Sequence, residues 1–244
     1  MRHTILSDIH GNLQALEAVL ADAPPDAPLW CLGDIVGYGP NPNECIERLR
    51  SLDVECIVGN HDWAVMNKVD VQDFNPDAQL SVRWTQDQLS PESTEYLESL
   101  PVRLENGPFT LVHGSPREPI WEYILYPPTA RLNFAHFDTP YCFVGHTHVP
   151  VLFRLHHRSD KAVCEAEQLL EGDPRLLGDG RLIVNPGSVG QPRDGDARAS
   201  YAILDAEEAS IEYRRVAYDI TQVQRLMEEA DLPRRNIMRL SYGW

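Results

Sequence analysis

The sequence predicts an α/β fold whose first half builds a mainly parallel sheet and whose later strands build a second, more antiparallel one. Three observations predict it. Short runs rich in Val, Ile and Leu recur along the chain; helical patterns separate the early runs; the later runs follow one another through short links. Thr4-Ile5-Leu6 reads as the first strand. Asn12 to Ala21 is helical, with Leu13, Leu16, Ala18 and Leu20 near helical spacing. Leu29 to Leu32 is the second strand. Asn43 to Leu52 is a helix carrying Ile46, Leu49 and Leu52, and Val54 to Val58 is the third strand. Asp77 to Leu89 reads as a helix through Leu80, Trp84 and Leu89, and Ser93 to Leu100 follows Pro91 as another. Phe109 to Val112, Tyr141 to Val144, Leu182 to Val184 and Tyr201 to Leu204 are further strands, several of them apolar on both faces. Ile211 to Val216 is a late strand. From Thr221, placed as N-cap, Val223, Leu226, Met227 and Ala230 recur at helical spacing. Residues 156–180 are polar, contain Gly172-Asp173-Pro174 and Gly178-Asp179-Gly180, and read as an inserted excursion. The organisation expected is one domain over 1–244, with that excursion and a C-terminal strand–helix appendage over 206–244.

Composition narrows the class of function. The 244 residues carry 21 Lys and Arg against 37 Asp and Glu, a formal charge of −16. Hydrophobic content of 43% and charged content of 24% are globular values and exclude a disordered chain. No apolar run approaches the roughly 20 residues of a membrane span, and the first residues are too short an apolar run for a secretory signal. The five cysteines are widely spaced without a C-x-x-C, and Cys31, Cys56 and Cys142, inside apolar runs, read as core thiols of a reduced compartment, so a cytoplasmic location is expected. Long nucleic acid is disfavoured as a ligand, because its binding draws on clustered Lys and Arg and none stand together beyond pairs such as Arg214-Arg215 and Arg234-Arg235. A phosphate ligand would need positive charge from another source.

The chemistry concentrates where strands end. The first strand runs into Asp8-Ile9-His10-Gly11-Asn12, the second into Gly33-Asp34, the third into Gly59-Asn60-His61-Asp62. A fourth runs into His113-Gly114 and a fifth into Gly145-His146-Thr147-His148. Ligands of open α/β sheets sit at such ends. An extended backbone through Asp8-x-His10 and His146-x-His148 would put both side chains of each pair on one face. Any one of these residues alone reads as a turn former or helix cap. Five of the nine histidines directly after apolar strands, beside Asp and Asn, is not what capping predicts.

In that order, D-x-H, G-D, G-N-H-D, H-G and G-H-T-H resemble the calcineurin-like metallophosphoesterases. Ser7 to Asn12, Gly33 to Pro40 and Asn185 to Gly190 are similar in detail to their small bacterial and archaeal phosphodiesterase branch. The likeness covers about residues 1–205. It implies a four-layer αββα sandwich of two packed mixed β-sheets flanked by helices. It also implies a dinuclear site: Asp8, His10 and His148 on one divalent ion, Asn60, His113 and His146 on the other, and Asp34 bridging. Nitrogen and oxygen ligands without thiolate suit Mn²⁺, favoured here, or Fe or Zn²⁺. Two ions bring +4 and two carboxylates remove 2, which resolves how an acidic chain can hold phosphate.

The resemblance makes His61 the proton donor to the leaving oxygen. Asp62 either orients its imidazole or caps a helix. Asn12 either donates to phosphate or caps a helix. Arg117 and Arg193 are phosphate clamps or ordinary surface ion pairs. Tyr38 is a pocket residue, and Trp121 with Tyr123 either walls the pocket or packs the core. The function implied is hydrolysis of small phosphodiesters or phosphomonoesters, nucleotide-like, by metal-hydroxide attack. Two alternatives stay open, a non-catalytic scaffold on the same fold and a nuclease acting on DNA. Gly37-Tyr38-Gly39 stands where larger protein phosphatases carry an Arg, which disfavours protein-phosphatase activity. A small phosphoester is the expected partner, with no membrane contact, and assembly into a homo-oligomer is left open.

Overall fold

Alternation of burial along each strand decides the layering. In β1 (Arg2–Leu6), Ile5 faces one apolar cluster and Leu6 another. In β2 (Leu29–Cys31), Trp30 faces the first cluster and Cys31 the second. The structure is a computed structural model and describes residues 2–158, 161–178 and 180–244, with backbone only at 157, 158 and 161. Its other strands are β3 (Glu55–Cys56), β4 (Arg103–Asn106), β5 (Phe109–Val112), β6 (Tyr141–Phe143), β7 (Val151–Arg158), β8 (Lys161–Glu167), β9 (Arg175–Leu176), β10 (Arg181–Asn185), β11 (Ala199–Asp205) and β12 (Ser210–Val216). Two six-stranded sheets form, ordered β3-β2-β1-β11-β12-β9 and β4-β5-β6-β10-β7-β8.

Between the sheets lie Ile5, Trp30, Leu32, Phe109, Leu111, Phe143, Leu152, Leu182, Val184, Ala202 and Leu204. The outer face of the first sheet packs Leu6, Cys31 and Tyr201 against α1 (Leu13–Asp22), α2 (Pro42–Ser51) and α4 (Pro76–Gln88). The outer face of the second packs Val112, Cys142, Phe153 and Ile183 against α6 (Pro127–Asn133). The result is the four-layer αββα sandwich. Short α3 (Asn60–Val65) and α5 (Pro91–Ser99) complete the first half.

Both sheets are mixed, as the resemblance implies: β1, β2 and β3 are parallel, but β11 returns antiparallel beside β1, and β12 beside β11. In the second sheet β5, β6 and β10 are parallel, and β4, β7 and β8 are antiparallel additions. Residues 156–180 contain the end of β7, all of β8, and β9. Their half-exposed pattern hides them, since β8 is an edge strand facing water. The C-terminal helix is two: α7 (Ile220–Glu229), capped by the Asp219 carboxylate and not by Thr221, and α8 (Arg234–Arg239), divided by Pro233, which cannot continue a helix.

Candidate metal centre

Five parallel strands deliver their C-terminal ends to one spot. Asp8 and His10 follow β1, Asp34 follows β2, and Asn60 and His61 open α3 after β3. His113 follows β5, and His146 and His148 follow β6. Asp8, His10, Asp34, Asn60, His113, His146 and His148 are each at most 3% exposed. The extended backbone expected through the D-x-H and H-T-H turns is not what brings them there. Asp8, His10, Asp34, Tyr38, His146 and His148 are left-handed, with φ between 51° and 65°. The strands end at Leu6 and Phe143, and the turns beyond fold back tightly. Such conformations cost about 1–3 kcal/mol each for non-glycine residues and persist only where surroundings over-determine them. Here they do: Asp8 N donates to Gly33 O, His10 N to Asp34 O, and Gly190 N to Asp8 O.

The outward ring nitrogens are tied to backbone carbonyls. His10 Nδ1 meets Val36 O at 3.1 Å, His113 Nδ1 meets Leu32 O at 2.8 Å, His148 Nδ1 meets Gln191 O at 2.6 Å, and His146 Nε2 meets Trp121 O at 3.2 Å. Carbonyls only accept, so each neutral ring puts its proton there and turns a lone pair inward. Inward, His10 Nε2 and His148 Nε2 are 3.1 Å apart, and Asp8 Oδ1 is 3.2 Å from the latter. On the other side His113 Nε2 stands 3.2 Å from His146 Nδ1 and 3.0 Å from the Asn60 amide oxygen. Asp34 Oδ2 lies between, 3.6 Å from His10 Nε2 and 3.4 Å from His113 Nε2, buried without a hydrogen-bond partner. Acceptors facing acceptors in a dry interior are unfavourable unless a cation stands among them. The donor set therefore fits divalent metal in two lobes that share Asp34.

Electrostatics agree. Against the burial that would raise them, His148 beside Asp8 and His113 beside Asp34 hold both carboxyls well below the usual range. Burial pushes His146 down to about 3 and His10 well below its ordinary value, so both are neutral ligand forms at pH 7; against burial, Asp34 beside it pushes His113 up to about 9, a proton that divalent metal at its Nε2 would displace. Burial also pushes His61 down to about 4, with Arg193 acting in the same direction. His61 is therefore neutral at pH 7, not poised near working pH as its ordinary value suggests.

Glycine 59 fits tightly behind the shared carboxylate. A Cβ there would meet Asp34 Oδ1 at 2.1 Å. Gly59→Ala is expected to lower stability by about 1–3 kcal/mol, the range for overpacking, and to weaken metal binding with it. Thermal melts with and without metal check this; an unchanged melting temperature and metal content would refute it.

The other expected site residues divide. Tyr38 and Arg193 line the cavity over the centre, a volume of about 280 Å³, and the Arg193 guanidinium lies over the Tyr38 ring. Trp121 and Tyr123 wall it, Tyr123 stacked on His146 with ring centres 3.9 Å apart. His61 lines it against Tyr38, at 4.4 Å between ring centres. Asp62 does not reach the cavity wall; its oxygens accept from Gly59 N and Val36 N, at the start of α3. Asn12 caps α1, accepting from Ala15 N and donating to Gly190 O. Arg117 pairs with Glu122 outside the cavity. For Asn12 and Arg117 the geometry is that of a cap and an ion pair, because their own neighbours satisfy them first.

Sequence reasoning misses Arg235, Asn236 and Arg239 of α8, Asp73, Phe74 and Asn75 just before α4 and Asp77 in its first turn, all on the cavity wall. The pair Arg234-Arg235 was the one visible signal. The four carbonyls that orient the histidines carry none, since any residue supplies a carbonyl.

Comparisons with known proteins follow the same line. The family model described as the calcineurin-like phosphoesterase superfamily domain matches residues 1–209. A metallophosphoesterase from Sphaerobacter thermophilus of known crystal structure is 49% identical, with all of both chains covered and a TM-score of 0.90. An uncharacterized protein of Methanocaldococcus jannaschii is 40% identical over 94% of this chain and 93% of its own. A 63-residue stretch is 38% identical to a symmetrical bis(5'-nucleosyl)-tetraphosphatase of Pectobacterium atrosepticum, covering 24% of this chain and 22% of that one. A match of that extent, over a buried Asp–His cluster at the strand ends, makes the chain a member of the calcineurin-like phosphoesterase superfamily and a metal-dependent phosphoric ester hydrolase.

Proposed function

We propose that this protein hydrolyses small, nucleotide-like phosphodiesters or phosphomonoesters at a two-metal centre. One observation carries the reading: the inward ring nitrogens of four histidines and the oxygens of Asn60 and Asp8 converge from two sides on the partnerless Asp34 Oδ2. Asp8, His10 and His148 would hold one ion, Asn60, His113 and His146 the other, and Asp34 both. Mn²⁺ is the favoured ion for this nitrogen–oxygen set, ahead of Fe or Zn²⁺. Bound there, divalent metal supplies positive charge for the phosphoryl oxygens and acidifies the attacking water.

The chain's own groups do the rest. His61 reaches the cavity from the residue after Asn60 and donates a proton to the leaving oxygen. Its Nδ1 has no partner. It is neutral in the protein alone, and an anionic phosphoryl group beside it raises its proton affinity, which favours the protonated acid in the complex. Asp62 holds the backbone of this segment through its two amide bonds. Tyr38 and Arg193 face the substrate. The wall formed by Trp121 and Tyr123 suits a base or aryl group.

The cysteines are free, four of them buried, and no helix among the described residues is long and apolar enough to cross a membrane. We extend the proposal to a cytoplasmic location on the first of these grounds. Activity is expected to vanish with chelator and to return best with Mn²⁺. A metal-resolved screen over nucleotides, cyclic nucleotides and an aryl phosphodiester tests the function. Full activity after metal removal confirmed by elemental analysis would refute it.

A further inference from the structure

The cavity over the metal centre gathers three arginines on its wall, Arg193, Arg235 and Arg239. None has a carboxylate within ion-pair distance among the described residues, in a chain with 37 acids to 21 bases. Arg193 donates to Gln191 Oε1 and reaches the Tyr38 hydroxyl, and its Nε is buried without a partner. Arg239 donates only to the Trp244 carbonyl. Burial, and then Arg193, push the Arg239 guanidinium down to about 10, so the cations crowd one another. The cavity's carboxylates are Asp34, Asp73 and Asp77. They balance the three arginines in number, and divalent metal then leaves the space positive.

The arginines of α8 are held in place. Arg235 and Arg239 stand four residues apart, on one helical face. Between them Asn236 is 2% exposed and donates to Ser81 Oγ of α4 at 3.0 Å. Ile237 and Leu240 pack with Val223 and Met227 of α7. Past α8, the Gly243 carbonyl accepts from Gly195 N, which ties the chain end to the loop carrying Arg193. The arginines of α8 lie beyond residue 209, where the family match ends, while Arg193 lies within it.

We infer that α8 and Arg193 form a second anion subsite, so that the preferred substrate carries at least two phosphoryl groups, as a nucleoside diphosphate or dinucleoside polyphosphate does. The inference rests on the phosphoesterase reading above. One phosphoryl group lies at the metal centre and the next is bound by planar guanidiniums, which suit phosphate by their paired donors.

The test compares wild type with Arg235→Ala, Arg239→Ala and the double variant. Two readouts are taken. The first is the ratio of kcat/KM for a nucleoside diphosphate to that for an aryl phosphomonoester. The second is calorimetric binding of tripolyphosphate to the protein in chelator. The ratio and the affinity are each expected to fall about 10- to 100-fold, the worth of one or two charge-assisted bonds. Arg225→Ala on α7, exposed and paired with Glu229, is expected to change neither. Arg239→Lys, which keeps the charge, is expected to recover part of the loss if the alanine variant folds poorly. An unchanged ratio and unchanged affinity, or losses as large for the aryl ester, would overturn the subsite. If wild type hydrolyses no phosphoester, the activity reading fails, and the tripolyphosphate measurement still decides the subsite.

Discussion

Asp34→Asn is expected to lose metal and turnover together, with metal affinity falling at least about 100-fold, the upper range for disturbing even a supporting group. The carboxylate lies between His10 and His113, and its Oδ2 has no other partner. Asparagine keeps Oδ1 to accept from the His61 amide, now at 2.8 Å. Its new NH₂ would face ring lone pairs that the carboxylate leaves unsatisfied. The metal-free variant is therefore expected to melt no lower than metal-free wild type. Elemental analysis, turnover and a melt in chelator check all three. A variant that keeps its metal and near-normal turnover would overturn the bridging role. A variant that melts far lower in chelator would show Asp34 holding the loops rather than a cation.

His61→Ala is expected to keep its metal and slow turnover about 10²- to 10⁴-fold, the usual worth of general acid catalysis. The ring sits among His10, Tyr38 and Phe74, at 4.4 to 4.9 Å between centres, and lines the cavity. None of the clustered ligand atoms belongs to it. Its loss should depend on the leaving group. A nitrophenolate departs without a proton, so its ester is hurt least; an alkyl or ribose oxygen needs one, so its ester is hurt most. Kinetics on both esters, with metal content measured alongside, decide the role. Equal losses, or loss of metal, would make His61 a positioning group or a ligand. The low proton affinity of His61 in the protein alone sharpens the test. If substrate charge restores its proton, the basic limb of kcat lies at higher pH than that of kcat/KM, because only the complex holds the anion beside the ring.

Most of the architecture was legible from local pattern. Period-two burial and helical spacing are local properties, so Thr4-Ile5-Leu6, Leu182-Ile183-Val184 and the helix over 76–88 could be read from their own residues. The metal-binding types at five strand ends were legible because each strand end is marked by an abrupt change from apolar to polar. What tertiary structure alone decided is who meets whom. β11 pairs with β1 across nearly two hundred residues, and nothing in Tyr201-Ala202-Ile203-Leu204 names that partner. The left-handed turns at Asp8 and His148 follow from hydrogen bonds to the turn after β2 and to the loop after β10, not from Asp or His preferring them. Asn12 and Arg117 have the right chemistry for phosphate, and only their neighbours show that a helix end and Glu122 engage them first. Arg235 and Arg239 look like ordinary surface charge in sequence. They face the metal centre because buried Asn236 and Ile237 set the rotation of α8, and the rotation of a helix is fixed by the surface it packs against.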